Sequence, residues 1–222
     1  MHPTKTVFRL HLVRHAEGTH NPAHDTTIPD PPLTERGIEQ SKELCRDFPF
    51  KQDVGLVITS PLRRTLQTTL VGFGKTLDKK YYSANQGAGV STGAQLLAAA
   101  DVQAHSTRPC DTGSDISLLH AEFPDLPWDT LGLDPVFPAK QGPYAPDYEM
   151  LRQRGLRIQS DLEHLFQELQ STGRPDVVIV THGGFMRFIT GKTDPLGPAK
   201  WRTFLVTFDL DSGMTAEPLL SG

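Results

Sequence analysis

The sequence has few cysteines, no long apolar run and no excess of positive charge, and each shortage excludes a class of protein. Its two cysteines, Cys45 and Cys110, form neither a disulfide framework nor a repeated CxxC pair. No run of about 18 apolar residues is present, so no membrane-spanning helix is predicted. The net charge of −4 offers no general attraction for nucleic acid.

The remaining bulk properties favour a soluble enzyme. The apolar fraction of 37% is ordinary for a globular protein of 222 residues. Residues 1–13 are too short and too interrupted by polar side chains for a secretory signal. We therefore expect a cytoplasmic protein with no membrane or nucleic-acid partner, and the sequence makes no prediction of oligomeric state.

Motifs for metals and nucleotides are also missing. The nine histidines include no HExxH pair, and no spacing of His, Asp and Glu fits a familiar metal template. A glycine-rich P-loop is absent, which argues against nucleotide-driven phosphoryl transfer. We therefore expect neither a metal nor an organic cofactor.

Strand and helix patterns alternate along the chain. Buried or half-buried strands are predicted at residues 7–14, 54–59, 176–181 and 204–210. Helices are predicted to begin after the cap Thr34, at Ser60-Pro61, and at Pro146-Asp147, the last one running to about Gln170. This alternation predicts a three-layer α/β/α sandwich with a mostly parallel central sheet.

The middle of the chain has a different composition. Residues 75–145 hold much of the proline and glycine, and only residues 93–100 have a helical pattern. Long irregular segments in compact proteins usually form lids or binding walls. We expect one domain over residues 1–222, in which residues 75–145 are an inserted substrate-binding or cap region.

Three of the predicted strands end in cationic or reactive side chains. The first ends in Arg14-His15, the second leads to Arg63-Arg64, and the third leads to His182-Gly183. Ligands of parallel sheets bind beyond the carboxyl ends of the strands. Guanidinium groups and helix N-termini suit a phosphate, whereas each motif alone is more often a surface pair, a turn or a capped helix start.

Taken together, these motifs resemble those of the histidine phosphatase superfamily, in its phosphoglycerate-mutase-like branch of small phosphatases. They occur in the family's order, and span most of the chain: Arg14-His15-Ala16-Glu17 with Asn21, Leu33-Thr34-Glu35-Arg36-Gly37, Ser60-Pro61-Leu62-Arg63-Arg64, Pro109-Cys110-Asp111-Thr112-Gly113-Ser114, and Thr181-His182-Gly183. The resemblance implies a metal-independent phosphatase with a phosphohistidine intermediate.

It also implies roles for individual residues. His15 is the expected nucleophile, with Arg14, Arg64 and His182 as the other catalytic residues around the phosphate. Asn21 and Gly183 complete the expected phosphate- or substrate-binding set. The expected partner is a small phosphorylated metabolite.

Two positions depart from the family pattern. Ala16 replaces a glycine after the histidine, a change that a negative φ would make harmless. Ala104 stands where the resemblance places the carboxylate that protonates the leaving group. Three interpretations of Ala104 stay open: an engineered substitution that slows the enzyme, a natural enzyme with another donor (Asp101, Asp111, Asp115 or His105), or a pseudo-phosphatase that only binds.

The activity itself has three candidate forms. The leading one is a phosphomonoesterase for a small metabolite, possible even with Ala104 in place of the general acid. A phosphoglycerate mutase is the first alternative, although Arg108 is one of few spare cations in the middle segment for a substrate carboxylate. The second alternative is a catalytically impaired pseudo-phosphatase that binds phosphate.

Overall fold

The computed structural model describes residues 6–126, 128, 134–192, 196–209 and 213–219. Its strands are β1 (Phe8–Arg14), β2 (Val54–Thr59), β3 (Gln95–Ala98), β4 (Asp176–Thr181), β5 (Trp201–Asp209) and β6 (Gly213–Pro218). Its α-helices are α1 (Glu35–Asp47), α2 (Arg63–Gly72), α3 (Ile116–Glu122), α4 (Tyr148–Leu169) and α5 (Met186–Thr190).

The six strands form one mixed sheet in the order β3-β2-β4-β1-β5-β6. The neighbours from β3 to β1 run parallel, and the pairs β1–β5 and β5–β6 are antiparallel. The sheet is therefore mostly parallel, as the alternation of strands and helices predicts. Because β1, β2 and β4 are adjacent and parallel, their carboxyl ends meet at one edge.

Hydrophobic cores cover both faces of this sheet. Side chains alternate across a strand, so Val178 and Val180 of β4 belong to one core and Val177 and Ile179 to the other. The first core also contains Leu44 of α1 with Leu66 and Phe73 from α2 and its end, and the second contains Ile158, Leu162 and Phe166 of α4. This arrangement confirms the three-layer α/β/α fold.

Several predicted boundaries agree with the structure. Strands β2 and β4 match the predicted ranges, and β1 starts one residue later. Thr34 caps α1 by accepting a hydrogen bond from the Gly37 amide at 2.9 Å. The last predicted strand starts earlier, at Trp201, and continues to Asp209, while Leu210 lies outside the described residues.

The helical prediction for residues 93–100 is wrong. Residues Gln95–Ala98 form β3, an edge strand that pairs in parallel with β2. The segment is rich in alanine and leucine, which favour helices, but propensity is a weak preference that tertiary pairing overrides. The strand buries Leu96 and Ala98 in the first core.

The predicted start of the second helix is also wrong. Helix α2 begins at Arg63 after Leu62, and not at Pro61 with Ser60 as its cap. Ser60 is fully buried, and its hydroxyl lies 2.9 Å from Nε2 of His182. The Ser60 side chain therefore contacts His182, directly after β4, and does not cap α2.

The single-domain organisation, with residues 75–145 as an insertion, stays a prediction. Within that range the structure describes β3, α3 and several single-turn 3₁₀ helices, one of them at residues 109–111. Among the described helices, none is both long and apolar enough to cross a membrane.

Candidate active site

A pocket of ≈ 460 Å³ opens at the carboxyl ends of β1 and β4. The strand ends are tied together, because the His15 amide donates to the Thr181 carbonyl and the Ser60 amide to the Val180 carbonyl, both at 3.0 Å. The pocket lining contains all six residues of the expected catalytic and phosphate-binding set: Arg14, His15, Asn21, Arg64, His182 and Gly183.

The ring of His15 has a defined tautomer. Its Nδ1 lies 2.7 Å from the Ala16 carbonyl oxygen, which only accepts, so Nδ1 carries the proton. The Nε2 atom then holds a lone pair and accepts from Nε of Arg64 at 3.3 Å. Burial and the nearby Arg64 guanidinium hold the pKa of His15 well below its usual value. The neutral ring therefore presents an unprotonated nitrogen near the buried guanidinium.

His182 has the opposite tautomer. Its Nδ1 lies 3.0 Å from Nη2 of Arg64, a group that only donates, so Nδ1 accepts. The proton is therefore on Nε2, which donates to the Ser60 hydroxyl at 2.9 Å. Burial, followed by the Arg64 charge, holds the pKa of His182 well below its usual value. The centroids of the His15 and His182 rings are 5.1 Å apart.

Arg64 joins the two imidazoles to the middle segment. Only 1% of its side chain is exposed, and it donates to the Cys110 carbonyl at 2.6 Å and to Oδ1 of Asp111 at 3.2 Å. Its neighbour Arg63 instead pairs with Glu122, with 31% of the Arg63 side chain exposed. The second arginine of the pair is therefore the one in the site.

Arg14 approaches the pocket from the other side. Its Nη1 donates to the Leu196 carbonyl at 2.8 Å, while its Nε is buried without a hydrogen-bond partner. Gly183 lies beside it, since a Cβ on Gly183 would be 3.4 Å from Cδ of Arg14. Asn21 is held in the loop after β1, where its Oδ1 accepts from the Gly18 amide at 2.9 Å.

His20 is a pocket residue that sequence reasoning missed. Its ring centroid is 6.1 Å from that of His15, and its Nε2 lies 3.0 Å from Nδ2 of Asn21. Burial, with help from Arg64, lowers the pKa of His20 to about 4. Its position directly before Asn21 was the one available signal. Ser60 was missed as well, because it fits a helix cap equally well.

Ala104 does not line the pocket. Only 1% of it is exposed, it packs in the first core, and its carbonyl accepts from Nζ of Lys140 at 2.7 Å. The adjacent His105 does line the pocket, with its ring against Gly184. The resemblance-based placement of an acid at position 104 stays a prediction.

Together, these groups can hold a tetrahedral dianion. Two guanidinium groups supply a positive field, and a neutral imidazole nitrogen faces the same space. No cluster of three or more His, Cys, Asp or Glu side chains suited to a metal ion occurs in the described part of the chain.

A second cavity, of ≈ 530 Å³, lies between α2 and residues 81–88 and 122–126. Its lining is mainly apolar and includes Leu70, Tyr82 and Phe123. Its lining contains neither the imidazoles nor Arg14 and Arg64, so the pocket of ≈ 460 Å³ is the candidate active site.

Comparison with known proteins agrees with this geometry. The profile of the histidine phosphatase superfamily (branch 1) matches residues 10–78, which carry His15 and Arg64. The chain resembles that superfamily over these residues. It is 26% identical to a probable phosphatase of Schizosaccharomyces pombe, over 95% of each chain.

Solved structures share the fold of this chain. A mycobacterial glucosyl-3-phosphoglycerate phosphatase has a TM-score of 0.58 and 16% identity, covering 97% of this chain and 99% of its own. A putative alpha-ribazole-5'-P phosphatase from Escherichia coli has a TM-score of 0.55 and 17% identity, covering 97% of each chain. At these identities the likeness concerns the fold alone.

Proposed function

We propose that this protein is a metal-independent phosphomonoesterase that transfers a phosphoryl group from a small metabolite to Nε2 of His15. One observation carries the proposal. His15 is neutral, its protonated Nδ1 donates to the Ala16 carbonyl, and its Nε2, which holds the lone pair, lies 3.3 Å from Nε of Arg64. A nucleophile for phosphorus needs such an available lone pair next to charges that bind the phosphoryl oxygens.

The groups around His15 have separate roles in the reaction. Arg14 and Arg64 hold the equatorial oxygens, since guanidinium forks match phosphate geometry. His182, whose tautomer is set by the Arg64 donor, accepts from Arg64 and donates to the Ser60 hydroxyl. Asn21 and Gly183 line the same space. Water then hydrolyses the P–N bond and releases phosphate.

The relatives support phosphatase activity on small molecules. One sequence relative is named a probable phosphatase, and two proteins of the same fold are named for small phosphorylated metabolites. The pocket volume of ≈ 460 Å³ is within the range of small-molecule sites.

The test is phosphoryl labelling of the protein. With a ³²P-labelled aryl phosphate, the unchanged protein should acquire label that is stable in base and lost in acid, as expected of phosphohistidine. His15→Ala should remove the label and the phosphate release. His164→Ala, which changes an exposed histidine of α4, should preserve both. Label that persists in His15→Ala would place the nucleophile elsewhere.

The same assay separates the other candidate activities. Release of phosphate that requires 2,3-bisphosphoglycerate, with transfer to phosphoglycerate, would indicate a mutase. Phosphate binding without label or release would indicate a pseudo-phosphatase. Turnover that resists chelators supports the metal-independent reaction.

A further inference from the structure

Asp111 is the one carboxylate among the described residues that line the pocket. Four groups near position 104 in sequence could replace a missing acid, and the structure separates them. Asp101 pairs with Arg157 at 2.6 Å, and Asp115 is exposed at the start of α3, so neither lines the pocket. His105 and Asp111 do.

Two hydrogen bonds orient the Asp111 carboxylate. Its Oδ1 accepts from Nη2 of Arg64 at 3.2 Å, and its Oδ2 accepts from the Ser106 hydroxyl at 2.7 Å. The 3₁₀ turn that carries it is itself held, because the Cys110 carbonyl also accepts from Arg64 at 2.6 Å. The guanidinium that faces His15 therefore also faces Asp111.

We propose that Asp111 is the catalytic proton donor that replaces a carboxylate at position 104. This proposal rests on the phosphohistidine reaction described above. The Arg64 guanidinium binds both Nε2 of His15 and the Asp111 carboxyl, so an ester bound by Arg64 has the nucleophile and this carboxyl as neighbours.

The proton follows a closed cycle. The His15 lone pair forms the N–P bond, the P–O bond breaks, and its electron pair goes to the leaving oxygen. The Asp111 carboxyl gives that oxygen its proton, so the alcohol leaves and a carboxylate remains. Water then attacks phosphorus and gives its proton to Asp111. The P–N bond breaks, and its electron pair returns to His15.

Two other groups near Ala104 are less suited to this step. Burial lowers the pKa of His105 from its usual value, so its ring is neutral at pH 7. Lys140 is about half protonated at pH 7, because burial lowers its pKa to about 7. Its Nζ is also bound to the Ala104 carbonyl, and Lys140 is not part of the pocket lining.

The experiment compares substrates with good and poor leaving groups. Asp111→Asn keeps the shape of the side chain but removes its acidic proton. We expect kcat/KM for an alkyl phosphate to fall by roughly 10²- to 10⁴-fold, with a change of only a few-fold for an aryl phosphate. Asp111→Glu should restore part of the alkyl activity. Asp115→Asn, an exposed aspartate in the same segment, is the matched control and should leave both rates unchanged.

Other outcomes overturn the proposal in distinct ways. Equal losses on both substrates would make Asp111 a structural support of Arg64. Selective loss of the alkyl rate in His105→Gln would make the imidazole the donor. The aryl rate and the His15 label report on the phosphohistidine reaction separately, so its failure is distinguishable. If Asp111→Asn does not fold, Asp111→Glu is the test, and equal losses of its alkyl and aryl rates contradict the proposal.

Discussion

At the scale of single residues, Arg64 fixes the tautomers of His15 and His182. It donates to Nε2 of His15 and to Nδ1 of His182, so the other ring nitrogens carry the protons and donate to the Ala16 carbonyl and the Ser60 hydroxyl. A lysine offers one ammonium in place of a planar fork with several donors. The two imidazoles would then lose their shared partner.

The corresponding prediction compares adjacent arginines. Arg64→Lys should lower kcat/KM for an aryl phosphate by about 100-fold or more, the scale of losing one fixed donor to the transition state. Arg63→Lys should change it little, since Arg63 pairs with Glu122 outside the pocket lining. Steady-state kinetics on both variants is the measurement. Similar losses in the two would contradict the assignment of Arg64 as the phosphate ligand.

At the scale of elements, the start of α1 is packed directly on the loop that follows His15. The Thr34 amide donates to the Glu17 carbonyl at 3.0 Å, and Gly37 faces the same carbonyl. A Cβ on Gly37 would lie 2.1 Å from that oxygen, a distance that real structures do not show. The glycine therefore sets how closely the helix approaches the catalytic loop.

Replacing this glycine should separate the two elements. Gly37→Ala should lower the free energy of unfolding by about 1–3 kcal/mol, as expected for overpacking, and should also reduce activity. Gly74→Ala is the control, because a Cβ there would meet no atom closer than 3.5 Å. Urea unfolding of both variants is the measurement. An unchanged Gly37→Ala protein would show that α1 shifts without cost.

Elements built from one unambiguous signal could be predicted from the sequence. The unbroken apolar runs of β2 and β4 gave their exact bounds, and the polar cap Thr34 marked α1. Strand β3 could not be predicted, because its helix-favouring residues become a strand only through pairing with β2.

In the candidate site, too, some residues have a local sequence signal and others are positioned only by tertiary contacts. Its arginines and histidines follow strand ends, so a parallel sheet was enough to bring them together. Ser60 and the orientation of Asp111 depend on contacts between distant segments, for which local sequence carries no signal, and His20 offered only its position before Asn21.

At the scale of the whole molecule, buried or half-buried imidazoles lie at two places. The pocket holds His15, His20, His105 and His182, while His11 of β1 lies in a separate buried network with Asp176 and Thr203. Burial is the largest cause of a lowered pKa in each of these five rings. The folded protein therefore binds fewer protons than the unfolded chain just below the usual histidine value of about 6.5.

Acid should consequently destabilise the fold at pH values well above those at which ordinary carboxylates become protonated. The free energy of unfolding falls as pH drops below about 6.5, by up to about 1.4 kcal/mol per pH unit for each ring protonated only in the unfolded chain. Urea unfolding between pH 8 and pH 5 measures this slope. His11→Gln should make the slope shallower whatever its absolute stability, because one buried ring no longer resists protonation. His164→Ala, on the exposed face of α4, should preserve the slope; a flat profile in the unchanged protein would contradict the buried, neutral state of these rings.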